Sequence, residues 1–130
     1  MDTCVISDFV KGEKNTLKQV KLISPNEIFV SSLTIMEVKY GLAMNPQRAI
    51  KIQSIIEILL GSITILPFDF KEAEQAAHIR SFLKFAGSPI GAYDLLIAAT
   101  AVINNHIVVT SNVREFQRVP NLQIENWRSV

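Results

Sequence analysis

The sequence has a single cysteine, Cys4, among 130 residues. With no second cysteine and no histidine beside it, Cys4 excludes an internal disulfide and makes no zinc site, so it reads as a small buried residue. Glycine and proline are sparse, five of each. No Gly/Pro/Ser-rich linker, internal repeat or low-complexity tract divides the chain, which predicts one domain over residues 1–130 with one active site. Charge of one sign is also missing: 13 lysines and arginines face 12 acids, for a net charge of +1. Composition alone therefore does not point to nucleic acid. Lys11, Lys14, Lys18 and Lys21 do crowd one segment, and the cluster reads as a solvated helix face. Apolar runs stop well short of the roughly 18 residues a membrane span needs, and Met1-Asp2-Thr3 has no basic leader pattern, so a cytoplasmic protein without membrane association is expected. His78 and His106 lack ligand spacing and read as surface or packing residues.

What is present is apolar. Hydrophobic residues make up 48% of the chain and mean hydropathy is +0.26, which suits an apolar sheet covered by helices on both faces. Short β-branched or aromatic runs occur at Ile28-Phe29-Val30, Ile63-Thr64-Ile65-Leu66, Ile107-Val108-Val109 and Leu122-Gln123-Ile124. Longer helical patterns separate them, which predicts an α/β fold with a mainly parallel sheet. From Gln47 to Leu60 the apolar positions 52, 55, 56, 59 and 60 mark one helix face, with Gly61 placed to end it in a left-handed turn. Asp69 and Glu72, with Phe68 before them, have the spacing of a capping box for a helix that Gly87 stops. The segment from Gly91 to Asn105 is apolar almost all round and predicts a central, buried helix.

That burial makes its one acid, Asp94, conspicuous, because an isolated buried carboxylate is costly without a cation, a donor or a capping role. Capping or electrostatically complementing the positive helix terminus is the plain alternative. Glu37 follows the strand around Phe29-Val30, and Thr34 stands three residues before it with capping-box spacing. Asp2 opens another helical stretch, where a disordered chain end is the alternative. Each acid precedes or opens a helix. Helices entered from parallel strands begin on one edge of the sheet, where doubly wound proteins bind ligands, so Asp2, Glu37 and Asp94 are expected to converge there. Converging carboxylates repel unless a cation neutralises them, and all-oxygen ligands favour a hard ion such as Mg²⁺ or Mn²⁺, which suits phosphoryl chemistry. A further junction, Thr110-Ser111-Asn112, follows a buried strand and can hydrogen-bond a carboxylate; ordinary turn chemistry is its alternative.

Four motifs in register resemble the PIN domain, most closely that of VapC-type toxins. Asp2-Thr3-Cys4-Val5-Ile6-Ser7 is similar to the family's D-T-N-x-x-S opening, and Ser31-Ser32-Leu33-Thr34-Ile35-Met36-Glu37 to its S-x-x-T-x-x-E segment. Ala92-Tyr93-Asp94-Leu95-Leu96-Ile97-Ala98-Ala99 resembles its A-x-D-x-x-I-A-A helix, and the run Thr110 to Phe116 its T-x-N/D-x-x-x-F. The resemblance implies a PIN-like α/β domain and a Mg²⁺- or Mn²⁺-dependent endoribonuclease acting on structured RNA such as tRNA. It also implies a homodimer held inactive by a VapB-type antitoxin, with operator DNA bound only through that antitoxin. It places metal ligation on Asp2, Glu37 and Asp94, with Asn112 completing the catalytic set and Thr3, Thr110 and Ser111 as supporting polar residues. The sequence departs from the family in having Met1 directly before Asp2 and a neutral Asn112 where many relatives carry an acid. The alternative reading is a catalytically inactive PIN-like module that binds RNA or a protein partner.

Overall fold

The computed structural model describes residues 1–128. Helix α1 (Thr3–Lys11) starts from Asp2, whose side chain accepts from the Val5 amide, and ends at Gly12 in the left-handed region (φ 79°). There the Gly12 amide donates back to the carbonyls of Asp8 and Phe9, a closure that favours glycine. Helix α2 (Lys14–Leu22) follows, N-capped by Glu13, and a 3₁₀ turn (Pro25–Glu27) leads into β1 (Phe29–Ser31). Next come α3 (Ser32–Met44), α4 (Pro46–Ser62) and β2 (Thr64–Leu66). The second half comprises α5 (Phe70–Phe85), α6 (Ala92–Ile103), β3 (Val108–Val109), α7 (Val113–Phe116) and β4 (Ile124–Glu125).

All strand pairing is parallel: β1 pairs with β2 in the register Val30 to Ile65, and β3 with β4 in the register Val108 to Ile124. Residues 1 and 2 bridge the two pairs, the Met1 nitrogen donating to the Phe29 carbonyl at 2.9 Å and the Asp2 amide to the Val109 carbonyl at 3.3 Å. Two apolar layers flank this sheet. Val5, Ile6, Val30, Ile56 and Trp127 build one with α1, α3 and α4. Ile79, Leu83, Ala98, Ala99 and Phe116 build the other with α5 and α6. Val109 belongs to the first and Val108 to the second, as expected of adjacent residues on a strand.

Three local expectations are corrected. Gly61 does not end α4: the helix runs on through Ser62, whose hydroxyl donates to the Ile58 carbonyl at 2.7 Å, and the chain passes straight through Ile63 into β2. Thr34 is not a cap, because Ser31 caps α3 from three residues upstream. Cys4 is exposed rather than buried, since α1 turns Val5 and Ile6 into the core and Cys4 away from it. The capping box at Asp69 and Glu72 forms as its spacing predicts, and Gly87 takes φ 70° beyond the end of α5.

Candidate functional site

Four helix starts bring polar groups to one site, though only α3 and α7 are entered from a strand: α1 begins at Asp2 without one, and α6, which carries Asp94, follows α5. Asp2 is 4% exposed and holds the start of α1 through Oδ1, which accepts from the Val5 amide at 3.1 Å. Its other oxygen accepts from the buried hydroxyl of Thr110, just beyond β3, joining residues 108 positions apart. Burial pushes the Asp2 carboxyl upward, and these hydrogen bonds oppose the rise. The adjacent Thr3 hydroxyl donates to Glu37 Oε1 at 3.2 Å, tying α1 to α3. With Ser31 as the cap, Glu37 lies in the second turn of α3 and has no capping work, while the hydroxyl of wholly buried Thr34 lacks a partner among the described residues.

Asp94 occupies the first turn of α6, but Gly91 is the N-cap and no side chain caps this helix. Asp94 therefore does not cap α6, while its place in the first turn still lets it complement the positive helix terminus. The Asn112 amide instead donates to Asp94 Oδ2 at 3.2 Å and to Glu115 Oε2 at 2.8 Å, and the Asn112 backbone N–H donates to the Thr110 hydroxyl at 2.9 Å. A continuous network thus runs from Asp2 through Thr110 and Asn112 to Asp94. Burial, then the charge of Glu115, then those of Asp2 and Glu37 push the Asp94 carboxyl up to about 6. Asp2, Glu37 and Glu115 consequently all lie within electrostatic reach of Asp94.

Glu115 is the residue that sequence reasoning missed. It belongs to α7, accepts from the Gly91 amide at the mouth of α6, and is held below the usual carboxylate range by that bond and by Asn112. Of the pair, Asp94 keeps the proton and Glu115 ionises first. Its only sequence signal was its place three residues after Asn112 in the motif that ends at Phe116, where a first-turn helix acid is also unremarkable. Ser111 sits against the Cys4 thiol rather than against an acid.

The donor set fits a hard divalent ion, being all oxygen and, among the described residues, unpaired with any lysine or arginine: the one salt bridge, Arg128 to Asp8, lies elsewhere. The side-chain positions do not close around an ion. No three acidic, histidine or cysteine groups among the described residues stand in coordinating geometry, because both oxygens of Asp2 and both of Glu115 are turned to protein donors.

The PIN domain family profile matches residues 1–122. Ribonuclease VapC2 of Rickettsia felis is 37% identical over 106 residues, covering 82% of this chain and 78% of that protein. The chain belongs to the PIN-domain family of VapC ribonucleases. The tRNA(fMet)-specific endonuclease VapC of Salmonella typhimurium is 30% identical over 128 residues, 97% of this chain and 93% of that one. Similar solved structures include VapBC2 from R. felis bound to a DNA fragment from its promoter, with a TM-score of 0.89 at 32% identity over 97% of this chain and 96% of that chain. DNA-bound VapBC from S. typhimurium aligns with a TM-score of 0.86 at 31% identity, over 97% and 95% of the two chains. The match to the VapC ribonucleases is in keeping with the order of motifs along this chain, and at these identities it reaches beyond the fold alone.

Proposed function

We propose that this chain is a metal-dependent endoribonuclease, the cytoplasmic toxin of a toxin–antitoxin pair, cleaving structured RNA such as tRNA. The observation that carries the reading is that Asp2, Glu37 and Glu115 all lie in the field of Asp94, with none of the four salt-bridged to a lysine or arginine among the described residues. Asp2, Glu37 and Asp94 would hold a Mg²⁺ or Mn²⁺ ion, with Glu115 as a fourth oxygen donor. Such an ion supplies the positive charge that offsets both the acids and the scissile phosphate.

The chain's own residues do the rest. Thr110 and the Val5 amide fix the Asp2 carboxylate, so its orientation is set before substrate arrives. Thr3 does the same for Glu37. Asn112 adds no charge to an already acidic pocket, and its amide aligns Asp94 and Glu115 together. Burial and the charge of Glu115 push the Asp94 carboxyl up to about 6 in the absence of an ion, and a cation bound beside it would offset both and favour its ionised form.

Relatives named tRNA(fMet)-specific endonucleases support an RNA substrate of that class. VapBC complexes among the structural relatives support inhibition by a VapB-type antitoxin, through which operator DNA would be contacted. Assembly as a homodimer is part of the same reading. Purified protein incubated with total tRNA and Mg²⁺ or Mn²⁺ should make discrete internal cuts that a chelator stops and Asp94→Asn abolishes. Chelator-resistant cutting, or full activity in a folded Asp94→Asn protein, would overturn it. RNA binding without cleavage under any divalent ion would favour the inactive binding module instead.

A further inference from the structure

An acidic pocket repels the polyanion it cuts, so the free energy of RNA binding must come from positive charge outside the pocket. The chain's net charge of +1 conceals where that charge is. Residues 11–21 contain four lysines and one acid, Glu13, which leaves the remainder of the molecule net acidic. Within α2, Lys14, Lys18 and Lys21 fall at positions i, i+4 and i+7, an arc of roughly 60° at 3.6 residues per turn. Thr16, on the opposite side of the helix, is 0% exposed and faces the core, so the lysine face points outward. All four lysines, Lys11 included, are exposed, and the single salt bridge among the described residues leaves them uncompensated. The carboxylate of Glu13 is turned to α2 itself, accepting from the amides of Asn15 and Thr16 and from the Thr16 hydroxyl.

The N-terminal end of α2 is linked to the acid site through Arg128. Arg128 grips Asp8 of α1 with two hydrogen bonds of 2.9 and 3.1 Å, and its guanidinium also feels Glu13 at the start of α2 and Cys4 at the start of α1. Cys4 in turn lies against Ser111 and in the field of Asp2 and Asp94. A strand of RNA leaving the pocket past Cys4 and Arg128 would therefore meet the N-terminal end of the lysine face.

We propose that the Lys14, Lys18 and Lys21 face of α2, extended by Lys11, is the docking surface for the phosphate backbone of RNA flanking the cleaved bond. The inference rests on the ribonuclease reading above and adds to it where the substrate is held. The binding is electrostatic and indifferent to sequence, positioning the strand while the pocket and its rim select the bond.

The test measures binding of fluorescently labelled tRNA in an Asp94→Asn background, which prevents cleavage, across a range of salt concentrations. Lys14→Gln, Lys18→Gln and Lys21→Gln combined should weaken binding about 10-fold or more and reduce the slope of log affinity against log salt by about two, near 0.7 for each lost single-strand phosphate contact. The corresponding Lys→Glu triple should weaken it further. A control with Lys71→Glu and Lys84→Glu on α5 should bind like the background protein. Matched thermal unfolding of the variants shows that the fold is kept. Unchanged affinity and slope in the Gln triple would overturn the proposal, as would equal weakening in the α5 control. Intact RNA binding with loss of antitoxin binding would assign the face to a protein partner and overturn it too. Failure of the unsubstituted protein to cut RNA with any divalent ion would instead sink the ribonuclease reading; cutting by that protein with unaltered affinity in the triple sinks the lysine face alone.

Discussion

Asp94 is a carboxyl that the fold treats badly. Held up to about 6 by burial and by Glu115, it binds a proton more tightly folded than unfolded. The sign follows from linkage: the favourable contribution is complete below the unfolded pKa and is lost as pH rises through about 6. Above that pH the ionised group costs stability, and a divalent cation should restore it. In chelator at pH 7.5, Asp94→Asn is therefore expected to raise the unfolding free energy by on the order of 1 kcal/mol, a figure discounted for the partial exposure of the group. Thermal unfolding at pH 5 and 7.5 reads this, and the gain should be roughly halved at the lower pH, vanishing only below the unfolded pKa of about 3.9. A destabilised native variant at pH 7.5 would show that Asp94 is structural. Asn112 and Glu115 give a second expectation at this scale. Asn112→Ala removes an aligning amide and should lower cleavage by roughly 10- to 100-fold. Glu115→Gln keeps the shape and loses a charge; a loss as deep as that of Asp94→Asn makes Glu115 a metal ligand, and a loss no deeper than that of Asn112→Ala makes it a positioning residue. Calorimetry without RNA should find one tightly bound ion, and two would contradict the role given to neutral Asn112.

The first and last segments depend on each other. Asp2 can stand at the sheet edge only because α1 is held there, and β4 with the residues after it does much of the holding. Trp127 is 7% exposed in the apolar layer shared with Val5 and Ile6, and Arg128 clasps Asp8 on the same helix. Trp127→Ala should cost about 3–5 kcal/mol, the range for a large aromatic removed from a core. Denaturant unfolding gives that number. In whatever fraction stays folded, activity should fall further than for an equally destabilising change on the far layer, such as Leu83→Ala in α5, because only the former loosens α1.

Across the whole molecule the acid site opens into a groove of about 250 Å³ between α1, α3 and α4, with Thr3 and Glu37 at one end and Ile52, Ile56 and Val38 along it. Largely apolar walls, with the Glu37 carboxylate bonded to Thr3 and the Arg48 side chain among them, suit an extended or helical antitoxin segment that lays aliphatic side chains in the groove. Its Arg would reach the acids, since a guanidinium matches paired carboxylates and replaces the metal's charge. Ile52→Glu should weaken antitoxin binding without changing cleavage by the free toxin, measured by titrating inhibition. An antitoxin complex that leaves Glu37 and Asp94 open to solvent and metal would refute this mode of inhibition. Among the described residues no helix is long and apolar enough to cross a membrane, and the exposed Tyr40 and Met44 on α3 and Phe82 and Phe85 on α5 leave apolar surface for a second copy. Light scattering of the free toxin tests the homodimer.

Periodicity by itself determined the alternation of strands and helices, the buried α6 and the capping box of α5, because local hydrogen bonding and amphipathic spacing need no distant partner. The acids Asp2, Glu37 and Asp94 were legible as candidates for a related reason: a charge at the start of an apolar helix is a local anomaly. What they do was not local. Thr34 and Glu37 had capping-box spacing, and only the placement of Ser31 at the end of β1 moved the cap upstream and left Glu37 to Thr3. Cys4 looked like a core residue until α1 was rotated by the burial of its neighbours Val5 and Ile6. Glu115 had no local anomaly at all. It joins the site because α7 folds back onto the Gly91 amide, 24 residues away in sequence. The sequence determined which residues were chemically conspicuous; the tertiary structure decided which of them share one electrostatic field, since that depends on distances that parallel strand pairing and helix packing create.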